Sequence, residues 1–424
     1  MADKMMSELT FFQDSLTGKK YKPNLNFEFT VAVPTCEQAE YALLIEHDGL
    51  RNDANTKAML RLANEGKAPY CISIGIKPGN LLMPDGTQRG MRMNSYDLFD
   101  KEYGDFIVYE LIPYVLEKYS FKISDSPDMH IVSGGSSGGI SAFCIAWFHP
   151  DYFRKVYMSS PSFLGMGRGN EIPYLIRKYE TKPLRIYEEY SENEPNDYFG
   201  ASFPIDLEAL RALSFANYDF AYKYFAGEGH CSRYNDEDEA YIRMEWLCRE
   251  RAHHGNSPRV DQVIPPFSKW EVCSGMPKNE SRMDVKNAPY SVAVRSNDEM
   301  AVYVASANED IVYMHPSGDL FNVGERILHA SLHTIPRFDP KGAIDMAVDK
   351  ADRLYVLTSI GIQCVRSFGL IDVILDLPDG AKPLEIAVTD ALYVKTELGA
   401  YRRALCEICT AEHTDKRRFT SYYD

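Results

Sequence analysis

The stretch "IVSGGSSGGIS", residues 131–141, contains the pattern Gly-x-Ser-x-Gly in two overlapping registers, one centred on Ser136 and the other on Ser137. The preceding "MHIV" is typical of a short strand, and the following "ISAFCIAWFHP" predicts an apolar helix that ends at a His-Pro pair. A strand, a turn without any side chain larger than serine, and a helix can together hold a serine at the tip of a strained turn, where it acts as a nucleophile.

The pattern alone is a weak signal, because Gly/Ser-rich turns have other uses. Such a turn between a strand and a helix can simply allow tight packing, or its backbone can bind a phosphate. The discriminating observation is whether an acid and a histidine follow the serine at suitable places, in the chain order of this architecture.

Two later segments supply these groups. Residues 182–200, "KPLRIYEEYSENEPNDYFG", predict a strand that runs into an acidic loop, and residues 217–234, "NYDFAYKYFAGEGHCSRY", predict a strand that runs into His230. Sites of α/β sheets lie just beyond the carboxyl ends of strands. We therefore expect His230 to be the base, whereas His47 is predicted in an early loop and takes no part.

Composition excludes several classes of partner. The formal net charge of -15 disfavours a nucleic-acid partner. The first twenty residues show no signal-peptide pattern, and no apolar run approaches the ~18 residues of a membrane span. The nine cysteines are scattered and odd in number, which argues against a disulfide framework. The expectation is a soluble, cytoplasmic protein that does not bind membranes; its oligomeric state is left open.

The periodicity of the chain changes near residue 250. Before it, apolar runs alternate with amphipathic segments, which predicts an α/β sheet; after it, short strands and turns such as Pro-Asp-Gly predict antiparallel β structure. We divide the chain into an N-terminal segment 1–26, an α/β domain 27–252, a linker 253–285 and a smaller all-β unit 286–424. Trp270 in the linker is a possible interface anchor.

The α/β part resembles a known family. "GGSSGGISAFCIAWFHPDYFRKVYMSSPSF", "RMNSYDLFDKEYGDFIVYELIPYV", "IEHDG" and "GEGHC" are similar to the enterochelin-esterase and feruloyl/acetyl-xylan esterase branch of the α/β-hydrolase fold, over about residues 27–250. The elbow of that branch reads Gly-x-Ser-x-Gly-Gly. Ser136 satisfies this pattern through Gly138 and Gly139, so the resemblance implies that Ser136 is the nucleophile and that Ser137 supplies its backbone N–H.

The resemblance also suggests the remaining site residues. The family's acid falls at Glu194, with Asp197 and Glu192 near enough to compete. The second oxyanion donor falls in the turn of "IEHDG", at the backbone of Gly49 or Leu50. Arg92, in "RMNSYD", is a possible substrate contact or a solvated arginine; the family often has Glu where Ser95 stands here.

The C-terminal part resembles the last blades of a gluconolactonase/regucalcin-type propeller over about residues 286–405, and about three blades' worth of strand is present. In complete relatives a divalent metal is held partly by an Asn and an Asp. The corresponding positions here carry Tyr290 and Ile344, with Asp345 one position late. Too few oxygen ligands remain for a catalytic metal, so we expect no metal, although Asp345 could bind one weakly.

These observations favour a serine carboxylesterase that hydrolyses a small aryl, sugar or siderophore ester through an acyl-enzyme and needs no cofactor. Two alternatives stay open. The chain could be a non-catalytic binding protein on a hydrolase scaffold, or a metal-dependent sugar lactonase that uses its C-terminal unit.

Overall fold

The structure is a computed structural model and describes residues 7–50, 54–165, 167–252, 254–316, 320, 323–378 and 380–410. The chain divides into two compact units. The first contains Met1–Pro173, Lys182–Ser214 and Tyr218–His254, and the second contains Tyr174–Thr181, Phe215–Asn217 and Gly255–Asp424. The chain therefore passes from one unit to the other repeatedly. The last residues of the predicted all-β unit, 411–424, lie outside the described residues.

A ten-stranded sheet forms the centre of the first unit. The strands of the first unit are β1 (Leu9–Thr17), β2 (Leu25–Pro34), β3 (Ala42–His47), β4 (Cys71–Ile76), β5 (Asn80–Leu82), β6 (Gln88–Gly90), β7 (His130–Gly135), β8 (Lys155–Ser159), β9 (Arg185–Asn193), β10 (Asn196–Asp197), β11 (Gly200–Ala201) and β12 (Asp219–Gly229). Strands β10 and β11 form a hairpin of their own, and the other ten form the sheet. Neighbouring strands follow the order β12-β9-β8-β7-β3-β4-β2-β5-β6, and β1 pairs with β2.

The helices follow the strands in alternation. In the described chain they are α1 (Ala54–Asn64), α2 (Arg92–Tyr96), α3 (Glu102–Phe106), a π-helical turn (Ile107–Leu111), α4 (Ile112–Tyr119), α5 (Ser137–Phe148), α6 (Ile172–Lys178), α7 (Ser202–Phe215), α8 (Glu237–Cys248) and α9 (Glu407–Thr410), with 3-10 turns at Pro127–Met129, Gly169–Glu171, Val260–Gln262 and Val323–Glu325. None of these described helices has both the length and the apolar character that crossing a membrane requires.

The central strands β3, β4, β7, β8, β9 and β12 run parallel. Strands of parallel sheets are buried on both faces and read as continuous apolar runs. "ALLIEH" in β3 and "CISIGI" in β4 follow this pattern, and all of their residues are buried. A mostly parallel sheet with crossover helices confirms the predicted α/β class and fits the α/β-hydrolase fold. It also brings the carboxyl ends of these strands to one edge.

The predicted boundary at residue 26 does not separate a free segment. Strand β1 pairs antiparallel with β2 in register from Leu9 opposite Pro34 to Thr17 opposite Asn26. The N-terminal residues 9–17 are therefore part of the sheet. Their side chains alternate between half-buried and exposed, as expected for an edge strand, and this weak pattern is the reason that sequence reasoning left them out.

The second unit contains three four-stranded antiparallel sheets in its described part. The strands are β13 (Glu271–Cys273), β14 (Val292–Arg295), β15 (Val302–Ala305), β16 (Ile311–His315), β17 (Ile327–Ser331), β18 (Asp345–Val348), β19 (Leu354–Thr358), β20 (Gly361–Val365), β21 (Ile371–Leu375), β22 (Pro383–Val388), β23 (Leu392–Thr396) and β24 (Ala400–Arg403). The sheets are β14-β15-β16-β17, β18-β19-β20-β21 and β13-β24-β23-β22. The predicted all-β class of this region is confirmed.

Part of the predicted linker 253–285 belongs to the second unit. Strand β13 completes the third sheet by pairing with β24, and Val260, Val263 and Ile264 are buried in that unit's largest apolar cluster. Trp270, predicted as an interface anchor, packs against the same cluster, and its Nε1 donates to Asp376 O at 3.0 Å. Sequence reasoning missed this because a 3-10 turn and a three-residue strand show too little periodicity.

Residues 174–181 also belong to the second unit, although they lie between β8 and β9 in sequence. The Tyr179 hydroxyl donates to Ile360 O at 2.9 Å. Glu180 forms a bidentate pair with Arg403, with both N–O distances at 2.7 Å, and both side chains are buried. A buried bidentate pair of this kind holds the two side chains in one arrangement. Loss of either partner would leave the other as a buried charge without compensation.

Candidate functional site

Ser136 lies at the turn between β7 and α5, with φ 56° and ψ -127°. A positive φ is strained for a residue with a side chain and persists only where the surroundings enforce it. Here the Ser136 N–H donates to Ser159 O at 2.8 Å, and the Ser136 carbonyl accepts from Ser162 N–H at 3.2 Å. The strand, turn and helix predicted from "IVSGGSSGGIS" are confirmed, and Ser136 occupies the tip of the turn.

The glycines of this turn allow strand and helix to approach each other. A Cβ atom on Gly134 would lie 2.3 Å from the backbone of Gly138, and one on Gly138 would lie 2.8 Å from His47 Cβ. Real Cβ atoms do not tolerate contacts this short. The glycines are therefore required by backbone packing around Ser136.

The two overlapping serines have different surroundings. Ser136 Oγ lies 3.0 Å from Ser162 Oγ, on the wall of two cavities. The Ser137 side chain instead lies near the Asp97 carboxyl, where it opposes the rise that burial causes in the pKa of Asp97. Ser137 is the first residue of α5, so its N–H has no acceptor within the helix. This arrangement suits Ser136 as a nucleophile and Ser137 as a backbone donor.

The predicted acid and base lie next to each other. Glu194 follows β9 and His230 follows β12, and these two strands pair in parallel. His230 Nδ1 lies 2.5 Å from Glu194 Oε2; the Glu194 side chain is 1% exposed and the His230 side chain is 33% exposed. Because a carboxylate accepts from Nδ1–H, this contact leaves Nε2 as the nitrogen that can take up and release a proton.

Further donors hold Glu194 in place. Its Oε1 accepts from Ser160 Oγ at 2.5 Å and from Ser191 N–H at 3.0 Å. Burial by itself would raise the pKa of Glu194, but the hydrogen bonds from His230, Ser160 and Ser191 outweigh it and hold the pKa below the ordinary value of 4.5. Glu194 is therefore ionised at neutral pH.

In the described chain, the two competing carboxylates accept hydrogen bonds from backbone N–H groups and none from His230, although Asp197 lines the smaller cavity with Ser136 and His230. Asp197 is exposed, and its Oδ1 accepts from Phe199 N–H at 2.9 Å within the small hairpin. Glu192 is also exposed, and its Oε2 accepts from Gly227 N–H at 2.6 Å. Of the three carboxylates that the sequence left open, the structure brings Glu194 to His230.

His230 is more basic than an ordinary histidine. The neighbouring Cys231 side chain and the hydrogen bond with Glu194 raise its pKa well above 6.5, against the opposing effect of burial. Cys231 N–H also donates to Ser160 Oγ at 3.0 Å. Ser160 therefore links the residue after the histidine to the acid.

Sequence reasoning missed Ser160, Ser162 and Cys231. The only signal available was the position of "SSPS", directly after the carboxyl end of a predicted strand, and that of Cys231 beside His230. His47 is also placed differently from the prediction. It is the last residue of β3, is buried, and contacts Ser133 O through Nδ1 at 2.7 Å. Burial lowers its pKa to about 4, so it is a neutral, structural histidine.

Ser136 and His230 face common space. Both line a larger cavity of about 850 Å³ and a smaller one of about 300 Å³. Among the residues that the structure describes, no hydrogen bond joins Ser136 Oγ to the imidazole of His230. Such bonds are often long without substrate and shorten in the reactive complex.

The predicted oxyanion donors can be compared directly. The Gly49 N–H donates to Ile76 O at 3.0 Å and is engaged in the backbone. Leu50, the next residue, lines the larger cavity, so of the two alternatives its N–H is the better candidate. Arg92 lines both cavities and forms a bidentate pair with Asp48 at 2.8 and 3.2 Å. Arg92 is therefore paired with a carboxylate at the cavity wall and is not simply a solvated arginine.

The predicted metal position in the second unit is occupied by protein contacts. Asp345 is buried, pairs with the Arg282 guanidinium and accepts from Ile386 N–H at 2.8 Å. Tyr290 OH lies 3.0 Å from His315 Nε2. In the described part of the chain, no group of three or more His, Cys, Asp or Glu side chains is placed to hold a metal ion.

Two further carboxyls of the first unit are buried near the site. Glu188 on β9 and Asp206 on α7 are both fully buried, and none of their carboxyl oxygens has a hydrogen-bond partner among the described residues. Burial raises the pKa of Glu188 to about 8, and burial together with the charge of Glu188 raises that of Asp206 to about 10. Both groups are therefore protonated at neutral pH in the folded protein.

We expect Glu188→Gln to change the pH dependence of stability. Between the unfolded pKa near 4 and the raised folded pKa, the folded protein keeps a proton that the unfolded chain releases, so stability falls as pH rises, by about 1.4 kcal/mol per pH unit for each such proton. Glutamine keeps the shape without the proton. In urea unfolding from pH 5 to 8, the variant should gain stability over the parent as pH increases. A difference independent of pH would contradict this.

Comparison with known proteins extends to about half of the chain. A family model described as "Putative esterase" matches residues 23–192. No match was found among curated proteins. A solved ferulic acid esterase is 17% identical with a TM-score of 0.45, and the match covers 57% of this chain and 99% of that one.

Two other solved structures show similar values. An enterobactin esterase from Shigella flexneri is 15% identical with a TM-score of 0.42, over 56% of this chain and 59% of that one. A siderophore hydrolase from Aspergillus nidulans is 18% identical with a TM-score of 0.42, over 57% and 97%. The family-model match supports an enzyme that hydrolyses carboxylic esters.

Proposed function

We propose that this chain is a serine carboxylesterase that hydrolyses a small ester of the aryl, sugar or siderophore type through an acyl-enzyme. One observation carries the proposal. Ser136, in a strained strand-to-helix turn, lines the same cavity as His230, and the Nδ1 atom of His230 contacts the buried carboxylate of Glu194. This combination is the one that activates a serine hydroxyl, which is otherwise a poor nucleophile.

In the proposed reaction, Ser136 Oγ attacks the ester carbonyl while His230 Nε2 takes its proton. Glu194 keeps the imidazole in the required tautomer and stabilises the imidazolium. The N–H groups of Ser137 and Leu50 bind the oxyanion, and each such donor typically lowers the barrier by roughly 3 kcal/mol. Collapse of the tetrahedral intermediate breaks the ester C–O bond, and His230 returns its proton to the departing alcohol, which leaves the acyl-enzyme. Water then attacks the acyl-enzyme with His230 again as base, and release of the carboxylic acid restores the Ser136 hydroxyl. No cofactor enters these steps.

The two cavities beside Ser136 suggest the character of the ester. The smaller cavity is bordered by Tyr198 and Phe199, whose ring centroids are 4.2 Å apart and which are 89% and 46% exposed. The larger cavity carries charged groups, among them Lys77 and Arg92. An ester with an apolar or aromatic part on one side of the scissile bond and a polar part on the other suits these surroundings.

We further propose that the second unit is a partial propeller with an accessory role, similar to the gluconolactonase/regucalcin type. Its first strands β14, β18 and β22 lie side by side, as the inner strands of neighbouring blades do. The pairing of Asp345 with Arg282 opposes lactonase chemistry at that position. All nine cysteines are free, which is consistent with the proposed cytoplasmic location.

Covalent labelling and chelation test the proposal on the full-length protein. We expect a fluorophosphonate to label one serine per chain and to abolish hydrolysis of aryl acetates. EDTA should leave the rate unchanged, because the proposed steps use only side chains and water. A panel of acetyl, feruloyl, sugar and siderophore esters would identify the substrate type.

The same measurements separate the alternatives. Lactone hydrolysis that EDTA abolishes would favour a metal-dependent lactonase. A protein that neither reacts with the phosphonate nor turns over any ester of the panel would favour a binding protein on a hydrolase scaffold.

A further inference from the structure

A separate cavity of about 430 Å³ lies in the first unit at the amino ends of the parallel strands. Ala42 begins β3, Ile131 lies in β7 and Lys155 begins β8, and all three line it. The candidate active site is at the carboxyl ends of the same strands, roughly 16 Å away along β8 at about 3.3 Å per residue. We call this space the Lys155 cavity.

Lys155 is the unusual member of the wall. It is only 6% exposed, and among the described residues its ammonium group has neither a hydrogen-bond partner nor an ion-pair partner. The preceding Arg154, by contrast, binds Asp128 at 2.9 Å. Burying a charged group without a partner costs several kcal/mol. In the part of the chain that the structure describes, the ammonium nitrogen is not among the fully buried polar atoms that lack a partner, so it reaches the cavity, where a bound anion can pair with it.

Two carboxylates line the cavity, Asp128 and Glu250, and Asp128 is already paired. Asp128 accepts from Arg154 at 2.9 Å and from Arg251 Nε at 3.3 Å, so two guanidinium groups share its charge. Burial lowers the pKa of Lys155 from its ordinary value of 10.5. The lining side chains carry three formal positive charges, on Lys155, Arg249 and Arg251, and two formal negative charges, on Asp128 and Glu250. The cavity therefore has a small excess of positive charge in a protein whose formal net charge is -15, and a bound anion would stabilise the charged ammonium.

The apolar part of the wall favours one kind of anion. Ala42, Met59, Met129 and Ile131 present apolar groups to the cavity. Inorganic phosphate needs several donors and has no apolar surface, whereas a monocarboxylate needs few donors and can carry an apolar body. Methionine side chains adapt to irregular apolar ligands.

We propose that the Lys155 cavity binds a small monocarboxylate with an apolar body, its carboxylate against the Lys155 ammonium and its body against Met59, Met129 and Ile131. This site is distinct from the proposed esterase site and does not depend on it. Its occupation would add a charge-assisted hydrogen bond to the burial of the apolar body.

Calorimetric titration of the full-length protein tests the site, with benzoate as the probe. We expect benzoate to bind, and Lys155→Met, which keeps length and apolar volume, to weaken binding by about tenfold to a hundredfold. The control Lys122→Met removes a lysine that is 66% exposed and pairs with Glu40, and it should leave binding unchanged. Inorganic phosphate should bind more weakly than benzoate.

Amine labelling of the unmodified protein gives an independent measurement. Benzoate should slow acetylation of Lys155 by acetic anhydride, read by peptide mass spectrometry, and should leave Lys122 unaffected. Benzoate binding that Lys155→Met leaves intact would place the ligand elsewhere and overturn the proposal. Phosphate binding as tight as that of benzoate, or no protection of Lys155, would overturn it as well.

Discussion

Replacing Ser136 by alanine is expected to lower kcat for ester hydrolysis by about four orders of magnitude or more and to abolish phosphonate labelling. The loss follows because Ser136 Oγ would form the acyl bond, and Ser136 lies at the tip of the strained turn at the end of β7. Steady-state kinetics on an aryl acetate and mass spectrometry of the labelled protein measure the two effects.

Ser137→Ala and Ser162→Ala are the matched controls for this substitution. Ser137 follows Ser136 in the chain, and alanine at 137 keeps the backbone N–H that we assign to the oxyanion. Ser162 follows β8, and alanine there removes the hydroxyl that lies 3.0 Å from Ser136 Oγ but keeps the N–H that donates to the Ser136 carbonyl. Each variant should retain most of the activity. Labelling that survives in Ser136→Ala and disappears in Ser137→Ala would reverse the assignment.

Glu194→Gln should lower kcat/KM by about three to four orders of magnitude. Glutamine is similar in shape but removes the charge that stabilises the imidazolium. Because Glu194 raises the pKa of His230, its loss should lower that pKa. A base acts in its neutral form, so kcat/KM rises with pH through this pKa, and in the variant the rise should occur at lower pH. A purely structural defect would not shift the profile.

Asp197→Asn provides the comparison for Glu194→Gln. Asp197 lies three residues further along the same loop and is exposed, with its carboxylate bound to Phe199 N–H. We expect kcat/KM near that of the parent and an unshifted pH profile. A crippled Asp197→Asn variant beside a nearly normal Glu194→Gln variant would show that Asp197 is the acid.

The sequence predicts Ser136 and His230, because the residues next to each of them in the chain are enough to indicate its place in the site. A strand followed by small residues and an apolar helix indicates Ser136, and a single histidine after a strand indicates His230. The choice between Glu194, Asp197 and Glu192 needs the structure, because all three occupy one loop and differ only in where their side chains point. The roles of Ser160 and Cys231 depend on two loops meeting, which no local pattern records.

In the fold, likewise, the sequence predicts the elements with a clear apolar pattern and misses the short or half-exposed ones. Continuous apolar runs such as those of β3 and β4 predict a parallel sheet, and recurrent turns predict the three antiparallel sheets of the second unit. The edge strand β1 and the three-residue strand β13 have weak periodicity, and their pairing with β2 and β24 is decided by tertiary contacts. The predicted boundaries at 26 and 285 therefore do not match the units.

The path of the chain limits how such a protein could arise or be shortened by a change in its gene. A stop codon after residue 254 would remove most of the second unit but keep Tyr174–Thr181, which lies within the sequence of the first. Tyr179 would lose the carbonyl of Ile360, and Glu180 would lose Arg403. A chain shortened in this way would thus carry, between β8 and β9, a segment whose partners lie in the part that was removed.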